Sequence, residues 1–354
     1  MKKNIFYILL LVPFACFSQN NKDILTVNSL YGNIIKHNKN IGTYLEGHPT
    51  GFLLEWDKTK TSNFKNFKTG IDFLYQDYKS SFLGKQYGLY THYDFAIFNF
   101  NNNNTIRLKT SAGLTYVSKI YNKATNPKNT AFGSHLNFST YVKLEYKRLN
   151  LIKNVGINLG LMFTHVSNGR MKSPNTGVNT WLFTAGINRL TTSKSKLQQT
   201  KENTEPIAKT IKYNALISGG VNESIYTGTG VKPFFVITTY ASKQISKKSA
   251  LHLGADLFVS YILKDDIELS KILYNKPTRD FKRIGVFLGH EFIINRQSIV
   301  TQLGHYIYPK GNDETIYERI GLKHYFNNKY YFVINLKAHG ARAESFAFGF
   351  GIKK

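Results

Sequence analysis

The chain has 354 residues, with 47 Lys and Arg against 21 Asp and Glu, for a formal net charge of +26. That length admits one large β domain or two ordinary ones, and the single cysteine, Cys16, excludes a disulfide framework and thiolate zinc sites. Plentiful Tyr (23), Phe (26) and Gly (27) with only 8 Pro lean toward strand.

Lys2 and Lys3 form a positive n-region, and Ile5 to Phe14 is a short apolar run. Small residues around Cys16-Phe17-Ser18 suggest a signal peptide over 1–18, cleaved after Ser18, which would leave a mature chain without a thiol. Val12-Pro13-Phe14-Ala15 is a poor context for lipidation of Cys16. No later stretch reaches the ~20 apolar residues of a helical membrane span.

Residues 19–354 alternate with period two, broken by Asn, Asp, Lys, Gly and Ser. Ile106, Leu108, Ala112, Leu114 and Tyr116 share one face. Phe132, Leu136, Phe138, Val142, Leu144 and Tyr146 share the next. Runs this long exceed the usual soluble strand of about five or six residues. They suit tilted membrane strands of ~9–11 residues. In the second half Leu251, Leu253, Ala255, Leu257, Val259 and Tyr261 repeat the habit, as do Phe346, Phe348, Phe350 and Ile352. The expected fold is all-β, an antiparallel transmembrane β-barrel of about sixteen strands, within a range of about 12–16. Residues 192–210, rich in Lys, Thr, Ser, Gln and Glu, are expected to form a long loop within one barrel, with a domain boundary as the alternative.

The segment of residues 155–190 carries the chemistry. Val155, Ile157, Leu159, Leu161 and Phe163 form an apolar face, and His165 and Ser167 continue its parity. Both therefore stand where the lipid-facing side reaches the end of a strand. The next strand has Trp181, Phe183, Ala185 and Ile187 on one face with Asn179 sharing their parity, which can bring Asn179 beside His165. Polar groups facing lipid cost free energy unless paired or used. A histidine can take the proton of a serine hydroxyl and make it a nucleophile. Asn179 could orient the imidazole. Asn168, Asn175 and backbone N–H groups around Gly169 could hold an oxyanion. From spacing alone, an interfacial His and Ser that merely hydrogen-bond within a loop is the commoner arrangement.

His165-Val166-Ser167-Asn168-Gly169, followed by Lys172-Ser173-Pro174-Asn175-Thr176-Gly177, resembles the signature of the lipid A 3-O-deacylases and their acyloxyacyl hydrolase-like relatives. The resemblance implies an outer-membrane barrel that removes an ester-linked acyl chain from lipid A or a related glycolipid within lipopolysaccharide. It implies His165 as general base, Ser167 as nucleophile, and Asn168 and Asn175 at the oxyanion-stabilising positions. Gly289-His290-Glu291-Phe292 with Gln302-Leu303-Gly304, and Leu336-Lys337-Ala338-His339 with Gly349-Phe350-Gly351, are similar to features of the larger members. Small members are about half this length and close a barrel of about eight strands. One position departs from the family. Its third residue is typically an acid where Asn179 stands, and no Asp or Glu occurs between His165 and Lys201.

The net charge suggests an anionic, phosphate-rich membrane surface as partner, or simply soluble loops; the signal segment and the dispersed cations argue against nucleic acid. No metal or cofactor is expected. His290 and His339 lack metal-ligand spacing. His92 and Asp94 share a face and could pair in the lumen. The Gly219-Gly220 and Gly228-Thr229-Gly230 stretches have no following helix to make a phosphate loop. The alternative to an esterase is a non-enzymatic barrel, either a channel or a structural lipid binder.

Overall fold

A computed structural model describes residues 23–36, 46–58, 67–191, 210–275, 280–294, 296–309, 315–340 and 342–354. The proposed signal peptide lies outside them. The first eight strands are β1 (Asp23–Ile34), β2 (Thr50–Lys58), β3 (Phe67–Asp77), β4 (Lys85–Asn99), β5 (Asn104–Val117), β6 (Leu136–Ile152), β7 (Val155–Ser167) and β8 (Val178–Thr191). The next eight are β9 (Ile211–Glu223), β10 (Val231–Ser246), β11 (Ser249–Ser260), β12 (Lys282–Ile294), β13 (Gln297–Tyr308), β14 (Ile316–Tyr325), β15 (Tyr330–His339) and β16 (Arg342–Lys353). A helix, α1 (Tyr261–Tyr274), follows β11.

The strand total agrees with the sequence reading, but the closure differs. There are two antiparallel barrels of eight strands, not one large barrel with a loop in it. β8 returns to β1, with Asp23 opposite Thr191 and Ile34 opposite Thr180. β16 returns to β9, with Phe348 opposite Gly219 and Lys353 opposite Asn214. In sequence, the polar stretch at 192–210 separates the strands of one closed sheet from those of the other; only its last residue is among those described. Alternation along a strand fixes which face is apolar and says nothing of which distant strand will pair with it.

Each strand divides its residues between wall and lumen, as in β1, whose side chains alternate strictly between exposed and buried along most of its length. Leu25, Val27, Leu159, Leu161, Phe183 and Ile187 stand out from the first barrel; Ile217, Leu253, Leu288 and Phe350 stand out from the second. An apolar surface of this extent belongs in a bilayer.

The lumens are polar and filled. Lys109 Nζ lies 2.7 Å from Glu55 and 2.8 Å from Asp57. Lys143 and Lys147 reach Glu145 at 2.8 and 3.0 Å. Arg107 pairs with Asp94 at 2.8 Å. His92 takes Asp57 and Asp72 as its partners, at 3.0 and 2.8 Å, so the suggested His92–Asp94 pairing gives way to separate contacts, with Asp94 taken by Arg107. The second lumen holds Arg319–Asp256 at 2.7 Å, Lys323–Glu291 at 3.1 Å and Lys337–Glu344 at 2.7 Å. Buried charges persist where they are paired and hydrogen-bonded.

Candidate active site

Val166 and Val178 point inward at the end of β7 and the start of β8, opposite one another in register. They join Ile34, Tyr78, Phe82, Leu83, Val117, Ala131 and Phe132 in a cluster that closes this mouth of the first barrel. Because side chains alternate across a strand, sealing Val166 inside sends His165 and Ser167 outward. Phe132 belongs to this cap, not to the outward face of β6 that the sequence pattern suggested.

His165 lies directly opposite Asn179 across the β7–β8 ladder. Its Nδ1 is 2.6 Å from Asn179 Oδ1, and its Nε2 is 3.1 Å from Ser167 Oγ. An amide oxygen accepts from N–H, so this contact places the ring proton on Nδ1 and leaves Nε2 to accept from the serine hydroxyl. Ser167 is 7% exposed, while His165 and Asn179 are partly buried. Asn179 and Ser167, joined to His165 by sequence pattern alone, are thus each within hydrogen-bond reach of its ring.

The loop after Ser167 folds back over this group. Asn168 is fully buried and directed into the loop: its side-chain amide donates to Ser134 Oγ at 2.8 Å and to the Lys172 carbonyl at 2.7 Å. Its backbone N–H donates to Asn175 Oδ1 at 2.8 Å. That last bond fixes the Asn175 amide, whose Nδ2 donates to no described residue, nor does the backbone N–H of Gly169. Gly169 and Gly177 both have positive φ, +60° and +69°. Gly177 sits against the dyad: a Cβ there would lie 2.8 Å from the Val166 carbonyl, 3.1 Å from His165 Cε1 and 3.2 Å from Ser167 Cβ. Gly177 stood in the recognised motif, but its part in holding the dyad follows only from the fold.

The loop is anchored on both sides. Thr176 and Gly177 donate backbone N–H groups to the carbonyls of Thr130 and Ala131, each at 3.2 Å. On the other side it meets the second barrel through Arg170 and Ser173, contacts that nothing in the local pattern announced. Among the described residues, no group of three or more His, Cys, Asp or Glu side chains is arranged to hold a metal ion. His290 contacts Ser249 at 2.5 Å, and His339 contacts Tyr306 at 3.0 Å.

Residues 50–188 match the family described as lipid A 3-O-deacylase (PagL). Residues 211–353 match the family described as acyloxyacyl hydrolase, C-terminal domain. No curated protein matches the chain. Among solved structures, the outer membrane enzyme PagL aligns at 19% identity over 46% of this chain and 97% of its own, with a TM-score of 0.33. Neisserial surface protein A aligns at 12% identity over 47% of this chain and 96% of its own, also at 0.33. The two matched ranges fall one in each barrel: the first barrel matches the lipid A 3-O-deacylase (PagL) family, and the second matches the acyloxyacyl hydrolase C-terminal domain family.

Proposed function

We propose that this chain is an outer-membrane serine esterase that removes an ester-linked acyl chain from lipid A or a related glycolipid. The observation that carries the reading is the relay Asn179 Oδ1···Nδ1 His165 Nε2···Oγ Ser167, at 2.6 and 3.1 Å, on the outward face of a barrel wall. The match of the first barrel to the lipid A 3-O-deacylase family supports the substrate class.

In this reading His165 Nε2 takes the Ser167 proton as Oγ attacks the ester carbonyl. The oxyanion is met by the Gly169 N–H and Asn175 Nδ2, with Asn168 holding the loop in shape through its three hydrogen bonds. Imidazolium returns the proton to the departing sugar oxygen, leaving an acyl-serine. Water from the interface, activated by His165, then releases the fatty acid and restores Ser167. The capped mouth beneath Val166 and Val178 keeps the lumen side dry, so that water must arrive from outside the barrel.

The test compares lipid A from cells with and without the protein by mass spectrometry. The expected result is loss of one acyl chain, abolished by Ser167→Ala and His165→Ala while the barrel remains folded. A lipophilic serine-reactive probe should label the wild type and not Ser167→Ala. An unchanged acyl pattern and no labelling of folded wild type would leave the structural lipid binder as the better reading.

A further inference from the structure

The loop that carries the proposed oxyanion donors is held as much by the second barrel as by its own. Glu223, at the end of β9, is 4% exposed. Its Oε2 accepts the Ser173 N–H at 2.8 Å, while Oε1 accepts the N–H groups of Gly228 and Gly230, both at 3.2 Å. The backbones of Glu223 and Arg170 are joined by an N–H···O bond of 3.1 Å, and Arg170 Nε donates to the Glu223 carbonyl at 3.1 Å. Ser173 Oγ donates to the Ser224 carbonyl, and Asp266 on α1 meets Arg170 at 3.4 Å.

These bonds reach the donors through a short chain of contacts. Ser173 is covalently joined to Lys172, whose carbonyl holds the Asn168 amide; the Asn168 N–H in turn holds Asn175 Oδ1. A second contact bears on the loop at Gly169. The ring of Phe346 on β16 lies flush against its backbone, so that a Cβ at 169 would fall 2.0 Å from Phe346 Cδ2. The same ring stacks on Phe138 at a centroid distance of 3.8 Å, and Phe138 lies directly opposite Ser167 in the β6–β7 ladder.

We propose that the second barrel completes the active site of the first, with Glu223 and Phe346 as positioning residues that set the loop of residues 168–177 against Ser167. The assignment rests on the esterase reading above. Glu223 is suited to the task because its carboxylate is already oriented by two N–H groups of its own loop before it takes the Ser173 N–H. An oxyanion site must be placed in advance of the reaction, and errors of about 1 Å in placement cost about 100-fold in rate.

The experiment uses the full chain in detergent micelles, with a long-chain 4-nitrophenyl ester as substrate and heat-modifiable migration as the check on folding. Glu223→Ala should lower kcat by about 10–100-fold with KM little changed. Glu223→Gln, which keeps one accepting oxygen but turns an NH2 toward the remaining N–H donors, should recover only part of that loss. Phe346→Ala, a change on the outward wall that leaves the lumen intact, should lower kcat in the same way and provides the test should Glu223→Ala fail to fold. Glu223→Ala or Phe346→Ala with wild-type kcat overturns the assignment while the esterase reading stands. Wild type indistinguishable from Ser167→Ala overturns the esterase reading itself, and the assignment with it.

Discussion

Asn179 stands where the resemblance to the lipid A 3-O-deacylases would place an acid. An amide oxygen 2.6 Å from Nδ1 can select the ring tautomer and hold its angle. It brings no full negative charge to the imidazolium that forms as Ser167 loses its proton. Asn179→Asp is nearly isosteric and should raise kcat for ester hydrolysis by about 10-fold or more, because the missing charge is a large part of what the third member of such a triad supplies. Asn179→Ala should lower kcat below that of the wild type. Both are read by single-turnover release of fatty acid, and a rate for Asn179→Asp equal to or below wild type would show that the amide is itself the adapted group. Gly177 tests the same geometry from the other side. Its φ of +69° disfavours an L side chain by about 1–2 kcal/mol. Any Cβ there also presses on His165 and Ser167. Gly177→Ala should therefore reduce kcat by about 10–100-fold with the barrel still folded, as judged by its heat-modifiable migration.

At the scale of elements, the strands are stapled from inside by charge. Lys109 is fully buried and touches Glu55 and Asp57, which Lys143 and Lys147 also contact. Removing one cation leaves carboxylates buried with fewer partners, which costs about 3–5 kcal/mol when a buried pair is broken. Lys109→Met keeps the stem and discards the charge. It should lower the urea midpoint of the first barrel's unfolding transition in vesicles with an unchanged denaturant slope. These strands were legible in the sequence because their periodicity is local. The outward set Phe346, Phe348, Phe350 and Ile352 on β16 stands as the alternation implied, with Ala347, Gly349 and Gly351 turned inward. The dyad's outward parity was legible for the same reason. The helix α1 was not: its buried Ile262 and Ile267 are few, its N-cap Ser260 makes no side-chain capping bond, and Tyr261 continued the alternation of β11. Nor were the contacts of Glu223 and Phe346 with the loop, since they join positions fifty or more residues apart whose spacing carries no period.

For the whole molecule, the division into two closed barrels changes what the interior can do. One barrel of about sixteen strands would enclose an aqueous channel, whereas about eight leave room only for side chains. Which of these holds was not readable from the sequence, because identical alternation serves both closures and only the return of β8 to β1 separates them. Each lumen is then filled by its own residues: Tyr90, Tyr141, Lys109 and Lys143 in the first and Tyr317 and Tyr331 in the second are all at most 1% exposed. The cap of Tyr78, Phe82, Leu83 and Phe132 seals the first at the end where the dyad stands. On the reading proposed above, the working surface of such a molecule lies on the outside, at the contact between its barrels, and the packed side chains stand in the way of water in either lumen. Reconstituted in planar bilayers, the full chain should therefore give no discrete conductance steps at either polarity, under conditions in which a porin of about sixteen strands conducts readily. Steady single-channel steps that vanish when the lumen is narrowed further, for example by Ser111→Phe on the lumen face of β5, would mean that the side chains yield to water and that the passive channel is the truer description of the protein.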